Sequence, residues 1–120
     1  MAKILIVEDD DDLRETLREV FETAGVVTAV TLLEVQALGP EALACEVAVL
    51  DVNLGSGQPS GVDTARWLRQ NGFQGRVLFL TGHAANVPEF VEACRDMHAN
   101  LLEKPVPIGR IESFVEGPRP

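Results

Sequence analysis

The chain has 120 residues, 46% of them hydrophobic, and carries a formal net charge of -9. That length supports one domain with its own core, and the surplus of acid argues against nucleic-acid binding, which relies on clustered Lys and Arg. No apolar run approaches the ~20 residues needed to span a bilayer, so no membrane association is expected.

The opening MAKILIVEDD has too short an apolar run for a signal peptide, and acids follow it at once, which points to the cytoplasm. Short apolar runs then recur with helical segments between them: Lys3–Val7, Val26–Val30, Val47–Leu50, Arg76–Leu80 and a weaker Asn100–Leu102. The runs are continuously apolar rather than alternating, which predicts parallel strands covered by helices on both faces. The expected fold is a doubly wound α/β sandwich.

Between the first two runs, Leu13, Leu17, Val20, Phe21 and Ala24 recur at helical spacing, with acids at the start and Gly25 as the stop. A short second helix is expected over Leu32–Leu38, broken by Gly39 and Pro40. A third should run from Gly61 to Asn71, with Asn71-Gly72 ending it. The fourth begins near Pro88 and passes through Phe90, Val91 and Cys94. The fifth runs from Pro107 or Ile108 through Ile111, Phe114 and Val115 to the non-helical GPRP. Cys45 and Cys94 are far apart and lack CxxC spacing, so they read as reduced thiols.

Sites in open parallel sheets form beyond the carboxyl ends of the strands. Here those ends carry Glu8, Asp9 and Asp10; Asp51; Thr81, Gly82 and His83; and Glu103, Lys104 and Pro105. Glu8, Asp9 and Asp51 would repel one another unless a hard cation sits among them, and carboxylates suit Mg2+. Lys104 can hold Asp51 and later a phosphoryl oxygen, and Thr81 adds a hydroxyl donor. A carboxylate in such surroundings can act as a nucleophile and form an aspartyl phosphate. Plainer readings exist for each residue alone: Asp10, Asp11 and Asp12 as partners of a helix dipole, Lys104 as a solvated surface residue, Thr81 as a turn residue. Their shared place at successive strand ends favours the site.

The ordered segments ILIVEDD, VAVLDVNL, VLFLTGHA and LLEKPV make the sequence similar to the receiver domain of two-component response regulators over the whole of residues 1–120. The resemblance implies a flavodoxin-like (βα)5 fold with strand order 2-1-3-4-5. It makes Asp51 the phosphoacceptor, Asp9 a direct Mg2+ ligand with Glu8 acting through water, and Asn53 a ligand through its backbone carbonyl. Thr81 becomes the switch hydroxyl and Lys104 the phosphate-binding lysine, with a cis bond to Pro105. Asn53 and His83 fall at positions that tune the lifetime of the phosphorylated state, although His83 also reads as an exposed loop histidine. Four departures stand out: Leu101 where an aromatic switch residue is usual, a longer loop after Asp51 with Gly55 in place of proline, Gly82 in place of alanine, and no glycine in RDMHAN before the last strand.

The function this implies is phosphoryl acceptance from a sensor histidine kinase or a histidine phosphotransfer protein, with slow self-catalysed dephosphorylation rather than enzymatic turnover. Output would pass to a downstream protein target through the fourth helix, fifth strand and fifth helix of a monomer. The initiating MAK favours a free-standing protein over a receiver cut from a hybrid kinase or larger regulator. Two rivals remain: a pseudo-receiver that binds partners without phosphorylation, and a phosphatase of the haloacid dehalogenase kind, which usually carries a second acid two residues after its nucleophile, where Asn53 stands here.

Overall fold

The computed structural model describes residues 3–53, 60–82 and 88–117. In chain order the elements are β1 (Ile4–Val7), α1 (Asp11–Val20), β2 (Val26–Ala29), α2 (Leu32–Leu38), α3 (Pro40–Leu43), β3 (Val47–Asp51), α4 (Gly61–Gln70), β4 (Arg76–Thr81), α5 (Pro88–Asp96), β5 (Asn100–Glu103) and α6 (Ile108–Glu116). The strands form one parallel sheet in the order β2-β1-β3-β4-β5.

Residues of a strand point alternately to the two faces, and each face has its own apolar layer. Leu5, Val7, Ala48, Leu50, Val77 and Phe79 pack with Val35, Ala42, Leu68 and Ala93 from α2, α3, α4 and α5. Ile4, Ile6, Val47, Val49, Leu78 and Leu80 pack with Leu17, Ile111 and Val115 from α1 and α6. Every residue of β1 and β3 is buried, which explains runs without alternation.

Two helices differ from expectation. The first ends at Val20 instead of reaching Ala24: Phe21 caps it, and Glu22–Ala24 form one turn of 3-10 helix. Phe21 and Ala24 still pack against the core, so the apolar spacing marked burial beyond the helix proper. After Gly39 the chain makes a further one-turn helix, α3, with Pro40 at a first-turn position where its missing N–H costs nothing. The helices expected as third, fourth and fifth are therefore α4, α5 and α6. Among the described residues no helix is long and apolar enough to cross a membrane.

Candidate functional site

The register decides which side chains meet. Val7 pairs with Leu50, so Glu8 and Asp51 lie side by side one step further along neighbouring strands. Asp51 pairs with Leu80 and Thr81 with Glu103, bringing Thr81 and Lys104 to the same edge. The chain runs from β1 outward to β2 and then back across to β3, which leaves a crevice between the ends of β1 and β3. Asp9, Asp10, Asp51, Val52, Asn53, Thr81, Gly82 and Lys104 line an open cavity of about 440 Å³ there.

Lys104 sits between two buried carboxylates. Its Nζ lies 3.1 Å from Glu8 Oε1 and 3.4 Å from Asp51 Oδ2, and the Glu8 residue is only 1% exposed. Asp51 Oδ1 accepts the N–H of Asn53 at 3.2 Å, and Glu8 Oε2 accepts that of Asp10 at 3.2 Å. Burial pushes the Glu8 pKa from 4.5 up to about 8, aided by a hydrogen bond with Asp51 and by the charge of Asp51. Burial raises Asp51 as well. For Lys104 burial acts downward, but the charge of Glu8, hydrogen bonds with Glu8 and Asp51 and the charge of Asp51 outweigh it, and its pKa rises. Crowded acids that retain a proton are what an anionic pocket does when, among the described residues, one lysine is the cation paired with its carboxylates.

Local sequence explains how these groups are presented. Asp10 caps α1, its Oδ1 accepting the N–H groups of Asp12 and Leu13, and Asp11 and Asp12 occupy the first turn where the dipole favours them. Ser60 and Asp63 form a capping box at the start of α4. Gly61 then packs so closely beneath β3 that a Cβ there would lie 2.2 Å from the Asp51 carbonyl oxygen. The Lys104–Pro105 bond is cis, and the Lys104 N–H donates to the Thr81 carbonyl at 2.7 Å.

The residues present fit a hard divalent cation. One carboxylate oxygen from each of Glu8, Asp9 and Asp51 lies within 4.8 Å of the others. Glu8 Oε1 is buried and faces the Lys104 ammonium at 3.1 Å, and among the described residues no backbone N–H donates to it. An all-oxygen donor set with unused lone pairs suits Mg2+.

The structure thus gathers Glu8, Asp9, Asp51, Asn53, Thr81 and Lys104 around one crevice. Leu101 is half-buried on the face shared with α2 to α5, paired in register with the fully buried Phe79, and belongs to the core rather than to the pocket rim. His83 and Gly55, with the rest of the longer loop, lie outside the described residues. Sequence reasoning missed Gly61, whose need for a bare Cα comes from a contact across the loop. It also missed Arg14, which donates to the Glu8 carbonyl at 2.8 Å and pairs with Asp11. The placing of Arg14 three residues after Asp11 was the available signal.

Fold and site together define a five-stranded doubly wound domain with an acid-and-lysine pocket at its switch point. The family model described as the response regulator receiver domain matches residues 4–116, and the chain belongs to that family. It is 33% identical over 102 residues to the C4-dicarboxylate transport transcriptional regulatory protein DctR of Rhodobacter capsulatus, covering 83% of this chain and 51% of the relative. It is also 33% identical over 113 residues to DctD of Pseudomonas aeruginosa, a protein described in the same words, covering 88% of this chain and 22% of that one. The chain therefore spans about half of the first relative and about a fifth of the second. Among solved structures, the non-phosphorylated HemR receiver domain of Leptospira biflexa matches with a TM-score of 0.80 and 30% identity, over 100% of this chain and 98% of that one.

Proposed function

We propose that residues 1–120 form one receiver domain that accepts a phosphoryl group on Asp51 from the phosphohistidine of a sensor histidine kinase or a histidine phosphotransfer protein. The carrying observation is the position of Asp51: nearly buried, held by the Asn53 N–H, and within reach of Lys104 and two further acids at the mouth of the sheet. An Asp51 oxygen attacks phosphorus, the P–N bond to the donor imidazole breaks, and an acyl phosphate forms. Lys104 turns from its carboxylate partners to an oxygen of the transferred group, and the Thr81 hydroxyl donates to another. Glu8, Asp9, Asp51 and the Asn53 carbonyl would hold Mg2+, which supplies positive charge opposite the developing anion. Asn53 and His83 set the lifetime of the product, and slow hydrolysis returns the free carboxylate.

Output follows from residues that report on the pocket. Thr81 ends β4 just ahead of the segment leading to α5, and the Lys104 backbone is tied to Thr81 at the end of β5, ahead of α6. The surface of α5, β5 and α6 is therefore the one that changes its affinity for a downstream protein, with Leu101 in place of an aromatic switch. We assign the domain to the cytoplasm as a monomer that makes no contact with nucleic acid, consistent with its charge of -9. The two longer relatives, named as transcriptional regulators, support a second arrangement in which the same surface acts on an attached domain.

Incubation with Mg2+ and acetyl phosphate tests this directly. The expected result is labelling at one phosphoryl group per chain, lost in Asp51→Asn. Repeated turnover on phosphate esters would instead make the protein a phosphatase. No labelling of a well-folded, Mg2+-bound protein would make it a pseudo-receiver.

A further inference from the structure

Residues 8 to 12 are five consecutive acids, Glu8-Asp9-Asp10-Asp11-Asp12, and the turn they form is held by a closed set of contacts. Glu8 Oε2 takes the Asp10 N–H, Asp10 Oδ1 takes those of Asp12 and Leu13, and the Arg14 N–H donates to the Asp10 carbonyl. The Arg14 guanidinium closes the circuit. One of its nitrogens donates to the Glu8 carbonyl at the end of β1, and the other pairs with Asp11 in the first turn of α1.

Helical side chains lean toward the N-terminus, so Arg14 reaches back over the two residues that separate Glu8 from Asp11. Its side chain is only 19% exposed, although Asp11 beside it is 83% exposed. The two forks of a rigid planar group thus bind the two flanks of the segment that carries Asp9. A lysine has the charge but a single mobile head, and cannot reproduce both bonds in fixed geometry.

We propose that Arg14 is a positioning residue for the cation-binding carboxylates: it staples the two ends of the β1–α1 turn so that Glu8 and Asp9 converge on Asp51. This rests on the reading of Glu8, Asp9 and Asp51 as Mg2+ ligands. As a cation close to that set, Arg14 also opposes a divalent ion by charge, so removing it has two effects of opposite sign, and positioning is the larger.

Calorimetric Mg2+ titration of the unphosphorylated chain, for wild type, Arg14→Lys and Arg14→Met, separates these effects. Both variants should bind Mg2+ about tenfold more weakly, the loss typical of groups that orient metal ligands. The Mg2+ concentration giving half-maximal acetyl phosphate labelling should rise by the same factor, while the rate at saturating Mg2+ stays within about twofold of wild type. Tighter binding by Arg14→Met with no change in Arg14→Lys would show that Arg14 acts by charge alone and overturn the inference. Lower melting temperatures with unaltered Mg2+ affinity would reduce Arg14 to a structural role and overturn it equally. Wild-type protein that binds no Mg2+ would overturn the proposed metal site and this inference together, whereas normal wild-type binding matched by both variants would overturn this inference alone.

Discussion

The two ends of the sheet hold their cations in opposite ways. Where β4 begins, Arg69 donates to the carbonyls of Phe73, Gly75 and Met97 at 3.0, 2.7 and 3.1 Å, and Arg76 donates to those of Phe114 and Val115. Each guanidinium also lies over a ring, Arg69 on Phe73 and Arg76 on Phe114. The hydrogen-bond partners here are backbone carbonyls, neutral groups that do not titrate. At the other end Lys104 faces Glu8 and Asp51, acids whose charge is costly to bury and which, in the function proposed above, take up a metal and a phosphoryl group. One end binds the fold together, and the other stores an unmet electrostatic demand that a ligand can satisfy.

A matched pair of glycines gives the largest test of that division. A Cβ on Gly61 would lie 2.2 Å from the Asp51 carbonyl oxygen, and one on Gly75 would lie 2.5 Å from the Glu46 carbonyl oxygen and 2.6 Å from the Phe73 ring. Either substitution by alanine forces backbone to move, at a cost of about 3 kcal/mol. Urea unfolding should show similar losses for both. Only Gly61→Ala should also slow acetyl phosphate labelling of the folded protein, by about 10- to 100-fold, because it displaces the backbone that carries Asp51. Equal labelling rates in the two variants would break the distinction between the ends.

Arg69→Met comes next. It leaves three carbonyls without their donor, including Met97 O, which lies 28 residues away in sequence. The expected loss is about 3 kcal/mol in urea unfolding, with labelling of the folded protein unchanged. A labelling defect beyond the loss of folded protein would mean that the two ends are coupled through α5.

What the sequence reveals and what it hides follow the same division. The strand ends were legible because a parallel sheet buried on both faces writes itself as uninterrupted apolar runs, and the residue that stops each run must face the crevice. Glu8, Asp9, Asp51, Thr81 and Lys104 all came from that logic, and the strand order came from the family resemblance. Arg69 was illegible because a guanidinium reaching for carbonyls leaves no pattern in neighbouring residues, whereas Arg14 left a faint one, its place three residues after Asp11. Gly61 read only as a helix start, since its constraint is a contact with β3 across the loop. The turn Pro40–Leu43 was hidden behind Gly39-Pro40, which signals a break and also suits the first turn of a new helix.

The mouth should respond to pH through its buried acids. Glu8 holds its proton up to about pH 8 in the folded chain, and an unfolded glutamate releases it near 4.5. Between those values the folded state binds more protons than the unfolded state, so stability is greatest at low pH and declines as pH rises through the window. Asp51, also raised, adds to the same trend. Glu8 alone contributes a slope of at most one proton, about 1.4 kcal/mol per pH unit. Urea midpoints in EDTA at pH 5.5, 6.5 and 7.5 should therefore fall in that order. Glu8→Gln should flatten the trend, and saturating Mg2+, which binds the deprotonated acids, should flatten or reverse it. Midpoints that rise with pH in EDTA would contradict the shared-proton state.

The smallest effect concerns two helix ends built on one pattern. After α4 the Phe73 N–H bonds back to Leu68 O and that of Gly72 to Arg69 O, with Gly72 at φ +94°. After α5 the Ala99 N–H bonds to Cys94 O and that of His98 to Arg95 O, with His98 at φ +53°. These are the paired bonds of a Schellman ending, and the residue between them needs a left-handed backbone that glycine adopts without a Cβ penalty. RDMHAN offers no glycine for this position, and an exposed histidine carries the strain instead. His98→Gly relieves about 1–2 kcal/mol of steric cost, partly offset by the greater freedom of glycine in the unfolded chain. The net gain should be about 0.5–1 kcal/mol in urea unfolding, with Mg2+ affinity and labelling rate unaltered, because His98 lies at the end of the sheet away from the pocket, beside the Met97 carbonyl that Arg69 holds. A gain in stability accompanied by slower labelling would show that strain at the end of α5 is transmitted to the mouth of the sheet, and the two ends would then have to be treated as one device.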